Sequence, residues 1–232
     1  MSTKDSVLKI LEQNKGDFVS SRILTEETGV SRNAVWKAIN DLKASGYEIE
    51  SVTNKGYKLE EDSDIISLQA IDQFLKNKKL LDKISVFDEL ESTNMTAKMN
   101  VITGITDKQV IIARTQTAGV GHGRKKYISP EGGIYLSIIK KPKEQGRKLR
   151  ASDVGKTVSK AIEAVTGEKT ELDTKTNRIF VRGKKVSGIL TEYFADLETG
   201  EISSYIIGVG IRMKKMEKNR MIAVLIDSLF DL

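Results

Sequence analysis

Apolar residues recur with two different periods along this chain, and the change of period divides it. The repeat is at first helical: Val7, Ile10 and Leu11 form a stripe that Asn14–Gly16 stops. Ser20 or Ser21 caps a second helix with Ile23 and Leu24 facing inward, and Gly29 supplies a tight turn after it. Ser31 caps a third helix that carries Val35, Ala38, Ile39 and Leu42 on one face. Helix, glycine turn, helix predicts a helix-turn-helix. Alternation takes over at Tyr47–Val52 and Gly56–Leu59, around a Thr53-Asn54-Lys55 turn that suits a hairpin. Residues 1–62 are therefore expected to form a winged helix-turn-helix domain.

The acidic, turn-rich stretch Glu60-Glu61-Asp62-Ser63-Asp64 reads as a linker to a second domain over residues 66–232. A helix is expected at Leu68–Leu75. Apolar runs at 84–89, 109–115, 134–139, 179–181, 186–194 and 203–211 predict strands, with helices at about 93–100, 150–165 and 219–231. That order predicts an α+β domain built on a single sheet.

Composition narrows the chemistry. The 232 residues hold no Cys and one His, His122. Disulfides, thiolate metal sites and cysteine nucleophiles are excluded, and a His-built zinc site or a Ser-His-Asp triad is disfavoured. No metal site is expected, and chemistry falls to Lys, Arg, carboxylates and backbone amides. No window approaches the ~18 consecutive apolar residues of a membrane span. Met1–Asn14 carries acids and no signal-peptide core, so a cytoplasmic protein that binds no membrane is expected.

The net charge of +6 is less informative than it looks, because residues 1–59 hold nine basic and eight acidic side chains. Placement matters more. Opposite its apolar stripe the third helix carries Arg32, Asn33, Trp36, Lys37 and Asn40, with Ser31 at its start. Arg and Asn can read base edges and Lys can neutralise phosphate, with Lys55 at the wing tip in reach of a flanking phosphate. A double-stranded DNA operator is the expected partner. The alternatives are a merely solvated face or a protein-binding module, and Trp36 either meets DNA or packs against the wing.

Three motifs mark the second domain. Glu91-Ser92-Thr93-Asn94 precedes a helix, so Ser92 or Thr93 is an N-cap by default. Gln116–Gly133 holds Gly119-Val120-Gly121-His122-Gly123 among basic residues, a loop whose amides can surround an anion. Gly183-Lys184-Lys185-Val186-Ser187-Gly188 reads as a turn entering a strand. Singly, these are a cap, a mobile loop and a surface turn.

In this order, after a winged helix, they resemble the bifunctional biotin protein ligase and biotin operon repressor family, over essentially residues 1–232. The Ser-Thr-Asn element, the glycine loop ending in Ser-Pro-x-Gly, the Gly-Lys-Lys-Val-x-Gly-Ile-Leu-x-Glu hairpin and the Gly-x-Gly-Ile strand all match. The resemblance implies a class II synthetase-like second domain that binds biotin over its sheet. Ser92, Thr93 and Gln116 would meet the ureido head, and Asn94, Gly119, Val120, Gly121, His122 and Gly188 would line the biotin pocket. Lys185 would face the carboxylate and, in an active ligase using ATP and Mg²⁺, would be the catalytic cation. A homodimer through the central sheet is implied as well.

The departures cluster. The family loop Gly-Arg-Gly-Arg-Arg-Gly-Arg, with Trp after it, is here Gly119-Val120-Gly121-His122-Gly123-Arg124-Lys125, with Tyr127 in the Trp place. The family's Lys-Trp-Pro-Asn-Asp is Thr174-Lys175-Thr176-Asn177-Arg178, and the Asn after Gly-x-Gly-Ile is Arg212. The segment that covers the adenylate is expected to be absent between Met213 and Lys218, as is the small barrel domain beyond Leu232. The expectation is a DNA-binding repressor that senses biotin or a related small carboxylate without ligating it. The rivals are an active ligase that also represses, and a module that binds neither ligand.

Overall fold

The computed structural model describes residues 2–143, 149–196 and 198–232. Contacts divide the chain into two compact units, Met1–Gln73 and Phe74–Leu232. The acidic turn at 60–64 belongs to the first unit. Lys15 Nζ donates to Ser63 O there, and Ile65 packs on the first unit's core.

The first unit contains α1 (Thr3–Gln13), α2 (Ser21–Thr28), α3 (Arg32–Ala44) and a hairpin of β1 (Ile49–Val52) and β2 (Gly56–Leu59). Each helix starts where a serine can accept an orphan amide. Ser2 forms a capping box with Asp5, Ser20 caps α2, and Ser31 caps α3. Val7, Leu11, Leu24, Val35, Ile39, Leu42 and Leu59 are at most 1% exposed and form the core. Ile23, expected to face inward, is instead 42% exposed. In a helix of eight residues only Leu24 reaches the core, and Ile23 lies about 100° round the axis from it.

Gly56 permits the wing. Its φ is +106°, and a Cβ there would collide with the backbone of Val19, whose N–H and C=O pair with Tyr57. Gly56→Ala is expected to cost at least about 1–3 kcal/mol from backbone strain alone. A chemical denaturation midpoint that does not fall would show that the wing is not held this way.

In the second unit, after α4 (Leu68–Phe74) at the boundary, come β3 (Ile84–Leu90), α5 (Thr93–Ile102), β4 (Gln109–Gln116), β5 (Ile134–Lys140) and α6 (Ala151–Thr166). Then follow β6 (Glu171–Asp173), β7 (Arg178–Val181), β8 (Lys184–Ala195), β9 (Ile202–Ile211) and α7 (Lys218–Phe230). One sheet, ordered β3-β4-β5-β9-β8-β7-β6, holds all seven strands, and only β3 and β4 run parallel. This is the expected α+β architecture. Strand β6 was not foreseen, because Glu171-Leu172-Asp173 is too short and polar to show a strand period.

Helix α5 packs on one face of the sheet, where Ala97 and Val101 meet Ile111, Ile139 and Ile206. Helices α6 and α7 pack together and against β8 and β5. Strand β5 is buried along its whole length, so these two helices cover the face opposite α5. Buried Lys140 donates to the last-turn carbonyls of Leu229 and Phe230, capping α7, and burial pushes its pKa down. Among the described residues no helix is long and apolar enough to cross a membrane.

Candidate functional site

A strand that carries glycine at every second position loses its side chains from one face. Gly208 and Gly210 of β9 do this, and Gly188 of β8 pairs with Gly210. The result is a depression on the α5 face, the floor of a pocket of about 180 Å³. Two side chains fill it. Asn94 lies where a Gly208 Cβ would be. The Tyr127 ring lies across the other pair, 2.5 Å from a Cβ at Gly210 and 2.9 Å from one at Gly188. It meets Tyr135 edge to face at 6.4 Å, and burial pushes the Tyr135 hydroxyl up to about 12.

One side of the pocket is a neutral hydrogen-bond network. Ser92 accepts from Met95 N and so caps α5. Gln116 Oε1 accepts from Thr93 N at 2.8 Å and from Thr93 Oγ1 at 3.2 Å, while its Nε2 donates to Ser129 Oγ at 2.8 Å. Ser137 Oγ lies 2.6 Å from Asn94 Oδ1 and 2.8 Å from Thr93 Oγ1 and shares its one proton between these two acceptors. Asn94 Nδ2 donates to Glu192, whose other oxygen pairs with Lys98. Ser92, Thr93, Asn94 and Gln116 thus come together on the pocket wall, where much of their capacity serves one another. Ser129 and Ser137 escaped the sequence reading. The signal for Ser137 was a lone hydroxyl inside the apolar run Ile134–Ile139.

Val120, Gly121, His122, Lys185 and Gly188 also line the pocket. Gly119 does not. It is buried beneath the loop, where a Cβ would lie 2.5 Å from Tyr127 O. Two of the loop amides are used within the loop: Gly121 N–H donates to Lys125 O and Tyr127 N–H to Gly119 O.

The other side is cationic. Lys185 Nζ stands 5.2 Å and Arg212 Cζ 5.8 Å from the Tyr127 ring centre, and Arg178 lines the wall. Burial first, then the charges of Arg178 and Arg212, hold Lys185 below its ordinary pKa. Asn177 Oδ1, also on the wall, is buried with no partner. Among the described residues no group of three His, Cys, Asp or Glu side chains could hold a metal ion. Magnesium takes oxygen ligands, so this donor set does not fit it.

In the first unit Ser31, Arg32, Asn33, Trp36 and Lys37 are exposed on α3, and Asn40 is half-buried. Trp36 is 62% exposed and so does not pack away against the wing. Lys55 is exposed at the wing tip, 5.6 Å over the Phe18 ring. Arg32 and Lys55 border one polar cleft together with Ser20, Ser21, Arg22 and Asn54. Ser20, Ser21 and Arg22 did not stand out in the sequence, because only the fold brings the start of α2 beside the wing, and Asn54 stood there only as a turn residue.

Residues 3–58 match the HTH domain model, and residues 86–212 match the biotin/lipoate A/B protein ligase family. The chain belongs to the biotin/lipoate A/B protein ligase family. The pocket of this family member is built wholly from the matched segment. The bifunctional ligase/repressor BirA of Bacillus subtilis is 32% identical over 215 residues, 91% of this chain and 65% of that protein. The same-named protein of Escherichia coli is 28% identical over 202 residues, covering 85% and 60%. The chain thus spans 65% of the length of its Bacillus relative. Two solved structures share the fold. One is the biotin acetyl coenzyme A carboxylase synthetase of Helicobacter pylori with bound biotinylated ATP (TM-score 0.53, 18% identity, 64% of this chain and 73% of that one). The other is the Aquifex aeolicus biotin protein ligase with biotin and ATP (TM-score 0.50, 23% identity, 64% and 69%).

Proposed function

We propose that the protein is a cytoplasmic transcriptional regulator whose helix-turn-helix unit binds an operator and whose ligase-type unit senses biotin or a related small carboxylate without ligating it. The carrying observation is the split character of the pocket. Ser92, Thr93, Asn94 and Gln116 gather on a neutral side, while Lys185 and Arg178 stand on a cationic one, Arg178 at the position where the family resemblance puts an Asp. A ureido head wants hydroxyl and amide partners, and an acid tail wants a cation. Asn177 Oδ1, buried without a partner, supplies one more acceptor for a ligand N–H. Two copies joined through the central sheet would present two α3 helices to a palindromic site.

A second reading keeps the DNA-binding role and adds ATP-dependent ligase activity. Lys185 favours it, since a cation in the pocket suits the attack of a carboxylate on a phosphoryl centre.

Calorimetry and thermal shift with biotin test the ligand. At 100 times Kd the stabilisation is expected to be about 2.7 kcal/mol. Lys185→Ala is expected to weaken binding by about 1.5–3 kcal/mol, the worth of a charge-assisted hydrogen bond. No heat and no stabilisation at millimolar biotin would overturn biotin as the ligand.

A further inference from the structure

An asparagine amide donates from one end and accepts at the other, and the two ends have nearly the same shape. What it offers a ligand therefore depends on the partners that hold it. Asn94 is 6% exposed in the first turn of α5 and lies over Gly208 on the pocket floor, Oδ1 the nearest of its atoms. Ser137 Oγ stands 2.6 Å from that oxygen, but a hydroxyl can donate to Oδ1 or accept from Nδ2, and so it favours neither orientation.

Glu192 removes the ambiguity. It is four positions beyond Gly188 on β8 and stands beside Ile206, which packs under α5, so its side chain rises from the same face as the glycine strip. Its Oε2 accepts from Asn94 Nδ2 at 3.0 Å and its Oε1 from Lys98 Nζ at 2.7 Å. Asn94 and Lys98 are four residues apart on α5 and so lie on one side of the helix, where the carboxylate spans them. An ionised carboxylate only accepts. Turning the amide over would set Oδ1 against it, oxygen to oxygen, where burial strengthens the repulsion. Lys98 and Glu192 each keep about a third of the side chain exposed, and an ion pair so placed adds little to stability. Its effect lies in what it fixes: Lys98 holds the carboxylate, and the carboxylate holds the amide.

We propose that Glu192 is a positioning residue of the pocket, holding the Asn94 amide with its oxygen on the floor, so that this wall takes a ligand N–H and repels a ligand carbonyl. This rests on reading the pocket as a ligand site and names the polarity of the group bound at that point.

The test has two readouts. In the isotope-labelled full chain, nuclear magnetic resonance signals of the Asn94 side-chain amide are identified by their loss in Asn94→Ala. Glu192→Gln has the same shape but an amide that can pair with either end of Asn94, and it is expected to move those signals and speed their exchange with water. Calorimetry with biotin reads the consequence. Glu192→Gln is expected to weaken binding about five- to thirtyfold in the parent and less than about twofold in an Asn94→Ala background, because it acts through Asn94. A role in folding alone would lower the melting temperature and leave that difference between backgrounds at nothing. Should Glu192→Gln fail to melt cooperatively, Glu192→Asp stops one methylene short of Asn94 and carries the same readouts with the same expected directions. The proposal is overturned by Asn94 signals that the Glu192 variant leaves in place, by parent-like affinity of that variant, or by an equal loss in both backgrounds. No heat from biotin with the parent removes biotin as the ligand, and the Asn94 signals then decide the positioning role alone.

Discussion

Replacing Arg32 and Asn33 together by Ala is expected to cost about 2–6 kcal/mol in operator binding, at least about thirtyfold, if each side chain reads a base edge. Both are exposed in the first turn of α3, while Val35, Ala38, Ile39 and Leu42 are buried. A recognition helix reads the major groove from such a first turn. The helix itself is expected to survive the change. Ser31 still caps it through Ala34 N, and Ala is the strongest helix former. The loss would therefore report on contacts rather than folding. A duplex enriched from random sequence against the parent, then titrated by fluorescence anisotropy, supplies the measurement. Phosphate neutralisation by Lys37 or Lys55 behaves differently, weakening all sequences alike and flattening the salt dependence. A double variant that binds its selected duplex as tightly as the parent would place the reading face elsewhere.

The sequence showed most of the fold because apolar period and buried face coincide over long elements. The stripe on α3 is buried residue for residue, and six of the seven strands of the sheet fall on apolar runs. Where elements are short, period fails: α2 admits one core residue, so Ile23 points outward, and β6 has no period to show. The site was legible as a set of residue types but not as an arrangement. Gln116 and Ser129 are thirteen positions apart and Thr93 and Ser137 forty-four, so nothing local announces that they are bonded to each other. The glycines were visible, but what fills the space above them was not. The loop folds back and lays Tyr127 over Gly188 and Gly210, which leaves about 180 Å³ where ligand pockets usually offer roughly 300–1,000 Å³. A ligand with a ring head and an acid tail must displace that ring to lie along the strip. The step costs the contacts of Tyr127 with Lys185 and Arg212, so both cations become available as the ring leaves.

Incubated with biotin and MgATP, the protein is expected to release no more pyrophosphate than its Lys185→Ala variant and to transfer no biotin to a carrier-protein lysine. In adenylation the carboxylate attacks phosphorus while negative charge gathers on the surrounding oxygens and on the departing pyrophosphate, and catalysts of such steps position metal ions against that charge. Here the wall carries Arg178, which opposes a metal ion, and the carboxylate next along the chain, Asp173, is held in the turn by Thr176 and by the amides of Lys175 and Thr176. Attraction of a polyphosphate to cations alone would not supply the step, because binding ground state and transition state alike does not speed the chemistry. An acyl phosphate anhydride must also be kept from water until the acceptor arrives. Only residues 212–217 join β9 to α7, and Arg212 in that stretch is exposed, so the connection offers little to cover the pocket. Arg178→Asp alone is therefore not expected to restore turnover: it repairs the sign of one charge and leaves the pocket open. Pyrophosphate release by the parent clearly above the Lys185→Ala background, or biotin on the carrier protein, would overturn the non-catalytic reading and make the protein a ligase that also binds DNA.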